Sequence, residues 1–271
     1  MTRALRTWGF LLFCAVSLAF LACGDDDDTS GPDDGVDNTD FVAEESFRYA
    51  FEVVDHTRLR LEGINGEVAI GGLADTDSIV VSGTRRVGSE SMEDAREHLD
   101  DLQVIVEDLG TEVYARTEQP PQTHGRNYIV DYTVYLPRSL GVVADNINGP
   151  VAVRSIQNNV TVANVNGSIL LDSIFGSATA ALVNGSIEAD VAIPLGGTIA
   201  FSVTNGGIGL EIPQSTSAEF SAQVTVGSIT VSNLDLYDVE STSTSLTGTL
   251  GSGEGTIALT TVNGNIDVTG Y

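Results

Sequence analysis

Between Asp145 and Gly206 the chain nearly repeats itself, and this repetition restricts its fold more than any other feature. Asn-Gly pairs stand at Asn148-Gly149, Asn166-Gly167, Asn184-Gly185 and Asn205-Gly206, in steps of 18, 18 and 21 residues. The pair occurs again upstream at Asn65-Gly66 and downstream at Asn263-Gly264. Each step holds two short runs of alternating apolar residues, such as Val151–Val153 and Val160–Val162, with a second turn signal between them at Asn158-Asn159, Phe175-Gly176 or Gly196-Gly197. Strand, turn, strand, turn at a fixed period describes a coil that can bury its apolar face only by stacking on its neighbours. A β-meander also uses Asn-Gly hairpins, but hairpins do not require the residues between the turns to recur. The predicted fold is therefore all-β, a β-solenoid with coils of about 18–21 residues occupying 144–271.

The segment before it, 46–143, reads as a cap of longer strands with one short helix. Ser91-Met92-Glu93-Asp94 has the form of a capping box. Met92, Ala95, Leu99 and Leu102 share one helical face, predicting a helix from about Ser91 to Leu102. Strands are expected over Val104–Asp108, Val113–Thr117 and Tyr128–Leu136. In the last of these Tyr128 and Tyr132 share one face and Tyr135 the other. At the other end, Val262-Asn263-Gly264-Asn265-Ile266 returns to the motif five residues before Tyr271, which predicts a last coil with a free edge.

The first residues give the chain an address. Residues 1–22 have a basic start at Arg3 and Arg6 and an apolar run from Trp8 to Ala22, the pattern of an export signal. Leu21-Ala22-Cys23 resembles the lipobox of bacterial lipoproteins, which implies acylation of Cys23. Cys14 is the only other cysteine and lies in the segment to be removed, so no internal disulfide can form in the mature chain. Two or three acyl chains would hold the protein at a bilayer. Residues 23–45 then read as an acidic tether: Gly24–Glu45 carries 10 of the 38 acids and little to bury.

Charge excludes one class of partner. The net charge is −26, with 12 arginines and no lysine, so no basic stripe exists for nucleic acid. His56, His98 and His124 are scattered, and the Tyr128, Tyr132, Tyr135 set fits core packing better than a carbohydrate platform. Six residues beyond each Asn of the four-fold repeat stand Arg154, Asp172, Asp190 and Glu211. If one step is one coil, Asp172 and Asp190 occupy equivalent places about 4.8 Å apart. Asp172, Asp190 and Glu211 are then candidate ligands for calcium, beside the simpler reading of splayed, solvated carboxylates. The repeated Asn-Gly pairs, Asn148-Gly149 through Asn205-Gly206 with Asn263-Gly264, read as structural turns, since both residues tolerate positive φ.

The lipobox, the S-x-x-D helix start, the Val130-Asp131-Tyr132 strand and the recurring V-N-G-S-I at Val165–Ile169 and Val183–Ile187 together resemble the putative-adhesin domain family of bacterial envelope lipoproteins. That resemblance implies a repetitive β fold over about Phe47–Tyr271 and an adhesion-like, non-catalytic role. It brings no catalytic residues and no cofactor. The expected location is the cell envelope, at the outer membrane or cell surface, with an envelope protein or glycan as ligand. The alternative is a polysaccharide-active β-helix enzyme using clustered carboxylates.

Overall fold

The computed structural model describes residues 39–271. The leader, Cys23 and the acidic segment up to residue 38 lie outside the described residues. The acidic segment ends earlier than its composition suggests. Phe41–Glu45, expected in the tether, are instead the start of β1 (Phe41–Glu52), where Ala43 is buried, Phe47 and Phe51 are half-buried and Glu45 pairs with Arg85.

Two sheets of mostly parallel strands face each other across one apolar core. One coil contributes a strand to each sheet, joined at the Asn-Gly corner. The repeat expected over 144–271 supplies β8 (Gly141–Asn148) and β9 (Val151–Arg154), β10 (Val160–Asn166) and β11 (Ile169–Ile174), β12 (Ala178–Asn184) and β13 (Ile187–Val191), and β14 (Thr198–Asn205) and β15 (Ile208–Ile212). Even-numbered members pair in register within one sheet, so that Asn148, Asn166, Asn184 and Asn205 stand opposite one another on successive strands. Period-two alternation sends Val160 and Val162, Ala178 and Ala180, Ile199 and Phe201 inward. Their partners Ile169 and Leu171, Ile187 and Ala189, Ile208 and Leu210 fill the core from the opposite sheet.

The solenoid begins far earlier than residue 144. β2 (Arg58–Glu62) and β3 (Val68–Leu73) form a full coil around Asn65-Gly66, pairing in parallel with β8 and β9. The chain then leaves the stack, and β4 (Ser78–Ser89), α1 (Met92–Glu97), a 3-10 turn at Leu99–Asp101 and β5 (Gln103–Asp108) form the cap proper. It rejoins the stack through β6 (Glu112–Glu118) and β7 (Asn127–Pro137), which add one more parallel layer on β2 and β3. Antiparallel β5 on β6, β4 on β7 and β1 on β4 close that end. Ser91 caps α1 by accepting from the Asp94 amide, and the helix is shorter than its apolar face suggests because it tightens after His98.

The other end corrects a second expectation. β16 (Ala218–Val226) and β17 (Ile229–Ser232) skip one place in the stack, and β18 (Leu236–Ser241) with β19 (Ser245–Leu250) extends the β16 sheet antiparallel. Only then do β20 (Gly255–Asn263) and β21 (Ile266–Gly270) slot in between. β20 pairs with β14 on one side and β16 on the other; β21 likewise lies between β15 and β17. The last coil in sequence is therefore interior, and the free edges belong to β17 and β18. The reason lies at the corner: Asn263 can continue a side-chain amide ladder from Asn205, whereas β16 has Val226 at that place and can only end it.

Candidate binding faces of the solenoid

The corners are built by the Asn-Gly pairs. Asn148 Nδ2 donates to Asn65 Oδ1 at 2.7 Å, Asn166 to Asn148 at 2.8 Å, Asn184 to Asn166 at 2.8 Å, Asn205 to Asn184 at 2.9 Å and Asn263 to Asn205 at 2.9 Å. Asn65 ends the series on the Tyr128 carbonyl at 3.0 Å. An amide both donates and accepts, so identical residues stacked one strand apart satisfy each other. Each following glycine has positive φ, and its backbone passes close under the preceding corner; a Cβ on Gly167 would lie 2.3 Å from the Gly149 carbonyl oxygen. These residues hold the stack together and present little chemistry of their own.

A second asparagine pair lies inside. Asn146 and Asn164 are buried, and their Nδ2 groups reach the Gly66 carbonyl at 3.2 Å and the Gly149 carbonyl at 2.8 Å. Both Oδ1 atoms are buried without a hydrogen-bond partner among the described residues. Sequence reasoning passed over them, although parity with Val160 and Val162 already sends Asn164 inward.

The outward face of the β9–β11–β13–β15–β21 sheet is acidic. Asp172, Glu188, Asp190, Glu211 and Asp267 surround a hollow of about 370 Å³ floored by Leu170, Ala189 and Gly209. Gly209 is what admits Glu188: a Cβ there would stand 2.1 Å from the Glu188 carboxylate. Partial burial in that notch, then the charges of Asp267 and Glu211, raise the Glu188 pKa. Tyr271 donates to Asp190 Oδ1 at 2.7 Å.

The column of Arg154, Asp172, Asp190 and Glu211 is interrupted. Asp172 faces Arg154, with 3.7 Å between Nε and Oδ2, and Asp190 faces Glu211. Between them the register slips: Leu171 pairs with Ala189 but Ile174 with Val191. Ser173, at φ 57°, takes up the extra residue in a left-handed conformation. A bulge thus interrupts the register beside Asp172 and Asp190, which both line the hollow. Among the described residues no group of three or more His, Cys, Asp or Glu side chains is gathered in metal-ligand fashion.

Other titratable residues serve the cap. His56 is buried, with Nε2 3.0 Å from Asp108 Oδ1; His98 closes α1 with Nδ1 3.0 Å from the Asp94 carbonyl oxygen; His124 sits in the loop before β7. The three do not converge. Arg126 grips Asp94 with two bonds of 2.6 and 2.7 Å, and Ser89 also donates to that carboxylate. Arg60 and Arg116 both stack on Tyr114, at 5.4 and 5.5 Å from its ring centre. Tyr128 and Tyr132 are core residues while Tyr135 faces outward, so the tyrosines form no platform.

All ten arginines beyond residue 38 lie between Arg48 and Arg154, whereas residues 155–271 hold ten acids and no basic side chain. The coils from residue 155 onward are therefore purely anionic, and the arginines are confined to the capped end and the first coils.

No curated protein matches the chain. Among solved structures it is similar to a putative cell adhesion protein from Clostridium sporogenes ATCC 15579, at 12% identity and TM-score 0.45, over 84% of this chain and 100% of that one. A putative adhesin from Bacteroides fragilis NCTC 9343 matches at 12% identity and TM-score 0.35, over 83% and 97%. A putative lipid binding protein from Parabacteroides distasonis ATCC 8503 matches at 12% identity and TM-score 0.29, over 82% and 96%. Residues 148–269, the coils from Asn148 onward, match the family model described as Toastrack DUF4097.

Proposed function

We propose that this protein is a lipid-anchored envelope protein whose solenoid is a rigid, non-catalytic binding body of the adhesin type. One observation carries the reading: eight stacked strand pairs repeat the same outward positions at one-strand spacing, so each outer face is an extended lattice of side chains rather than a cleft. Such a surface suits a ligand that is itself extended, an envelope protein or a glycan strand. The lipobox at Leu21-Ala22-Cys23 supports anchoring through acyl chains on Cys23 and a location at the outer membrane or cell surface. Cells making the wild type should capture purified envelope glycan or protein fractions that cells lacking it do not. Cys23→Ala should release the protein from membranes and abolish acyl labelling. Equal capture by both cell lines would overturn the binding role; unchanged membrane retention of the variant would overturn the anchor.

A second reading rests on Glu188, whose raised pKa beside Asp267 and Glu211 is the property a general acid needs. In that case the acidic hollow cleaves an acidic polysaccharide. Incubation with polyuronates would yield unsaturated or reducing ends that Glu188→Gln does not release.

A further inference from the structure

The middle of the opposite outer face carries no charge. β10, β12, β14 and β20 lie side by side, and none of these strands contains an acidic or basic residue. Their outward side chains are small or β-branched: Thr161, Ala163 and Val165 on β10, Thr179, Ala181 and Val183 on β12, with alanine, serine and threonine continuing across β14 and β20. Along one margin runs an exposed aliphatic row, Ile147, Val165, Val183 and Val262, each about two-fifths exposed, interrupted only by Thr204. Asp145 on β8 and Glu219 on β16 mark the limits of the uncharged field.

We propose that this face is an interface between two copies of the chain, packed sheet on sheet. Charge selects the occupant. At a net charge of −26, two copies meeting through the acidic face set carboxylates against carboxylates. The uncharged face can meet itself about a two-fold axis without doing so, and a two-fold contact places the same patch on both sides. Small side chains let two such sheets approach to the ordinary separation of about 10 Å. The area suffices for a weak, specific pair. Counting β8, whose Asp145 then stands at the rim, there are five strands as far as β20, about 24 Å, and each offers about 20 Å of outward side chains. That is about 480 Å² per copy before side-chain relief is counted, or about 1,000 Å² in total, the lower limit of specific interfaces.

The test is sedimentation of the purified full-length chain over a wide concentration range, beside two variants. Ala181→Glu/Val183→Glu places charges at the centre of the face on outward positions. Thr269→Glu places a charge on the outward face of β21 in the other sheet. The wild type and Thr269→Glu should show the same monomer–dimer equilibrium, and the double variant a dissociation constant at least tenfold higher with an unchanged melting temperature. A lower melting temperature in the double variant transfers the decision to Thr179→Arg, which must weaken the dimer by the same factor. A wild type monomeric at every concentration, or a dimer that these charges leave intact, would overturn the proposal.

Discussion

Asn166 donates its side-chain amide to Asn148 one coil away at 2.8 Å and accepts the amide of Asn184 at the same distance. Each interior residue of this ladder is thus both donor and acceptor, and replacing one with an aspartate removes a donor while leaving two acceptors facing each other. Asn184→Asp should destabilise the fold by about 1–2 kcal/mol at neutral pH, the scale of one lost hydrogen bond plus an unfavourable contact. Chemical denaturation measures it. The loss should shrink in acid, where a protonated aspartate can donate again.

The glycine beside each asparagine is less forgiving. Gly185 has φ +135°, and a Cβ there would stand 1.9 Å from the Gly167 carbonyl oxygen. Gly185→Ala should cost more than about 2 kcal/mol, since positive φ and a backbone clash act together. Gly110 also has positive φ but nothing within 4 Å of the added atom. Gly110→Ala should cost only about 1 kcal/mol, the conformational part alone. Comparable losses at the two sites would mean that the corners can shift to make room.

The coil length, the corner residues and the inward set of β10 through β15 were legible, because Asn-Gly steps and period-two alternation are local signals. The order of the stack was not. Asn65 meets Asn148 across 83 residues, a separation that hides the first coil from any period count. The interior place of β20 follows from Asn263 matching Asn205 while Val226 cannot, a rule visible only once the ladder is known. The irregularity beside Asp172 was not legible for a different reason: the bulge rests on Ser173 at φ 57°, and serine gives no warning of a left-handed residue. The acidic hollow was seen only in part, since Glu188 and Asp267 enter it from positions two residues before Asp190 and Thr269, outside the counted column.

Asn164 offers a test of a buried polar group. Its Oδ1 is unpaired, and in the next coil the register-equivalent residue is Leu182, itself buried. Asn164→Leu gives up the bond to the Gly149 carbonyl but removes an unsatisfied buried acceptor, each worth about 1–3 kcal/mol, and adds apolar burial. The variant should be as stable as the wild type or more so. Asn164→Asp should destabilise strongly, because a charge at that depth has no basic partner.

Glu188 should work against stability at neutral pH. Its folded pKa is raised by burial over Gly209 and by Asp267 and Glu211, so the folded state binds its proton more readily than the unfolded chain does. The penalty is therefore present above the folded pKa and disappears as pH falls through it. Glu188→Gln should melt higher than the wild type near neutral pH and show no advantage once the pH drops below the ordinary glutamate value of about 4.3. An advantage that persists in acid would assign the effect to packing in the notch.

Asp94 should behave in the opposite sense. Its carboxylate receives two bonds from Arg126 and one from Ser89, and these hold its pKa far below the usual aspartate range, with the Arg126 bonds the larger cause. A depressed carboxylate stabilises the fold fully above the unfolded value of about 3.9, and that contribution is lost as pH falls toward the folded value. The pair joins α1 to the residue that precedes β7, so its loss should loosen the capped end before the coils. Asp94→Asn should lower the melting temperature at neutral pH, and the gap to the wild type should close progressively below about pH 4. Arg126→Met should reproduce both the loss and its pH dependence, since it removes the same bonds from the other side. Hydrogen exchange at neutral pH should then show faster opening of α1 and β1 in either variant, with β10 through β15 unchanged. A gap that stays constant down to about pH 2 would mean that Asp94 acts through the geometry of the helix start rather than through its charge.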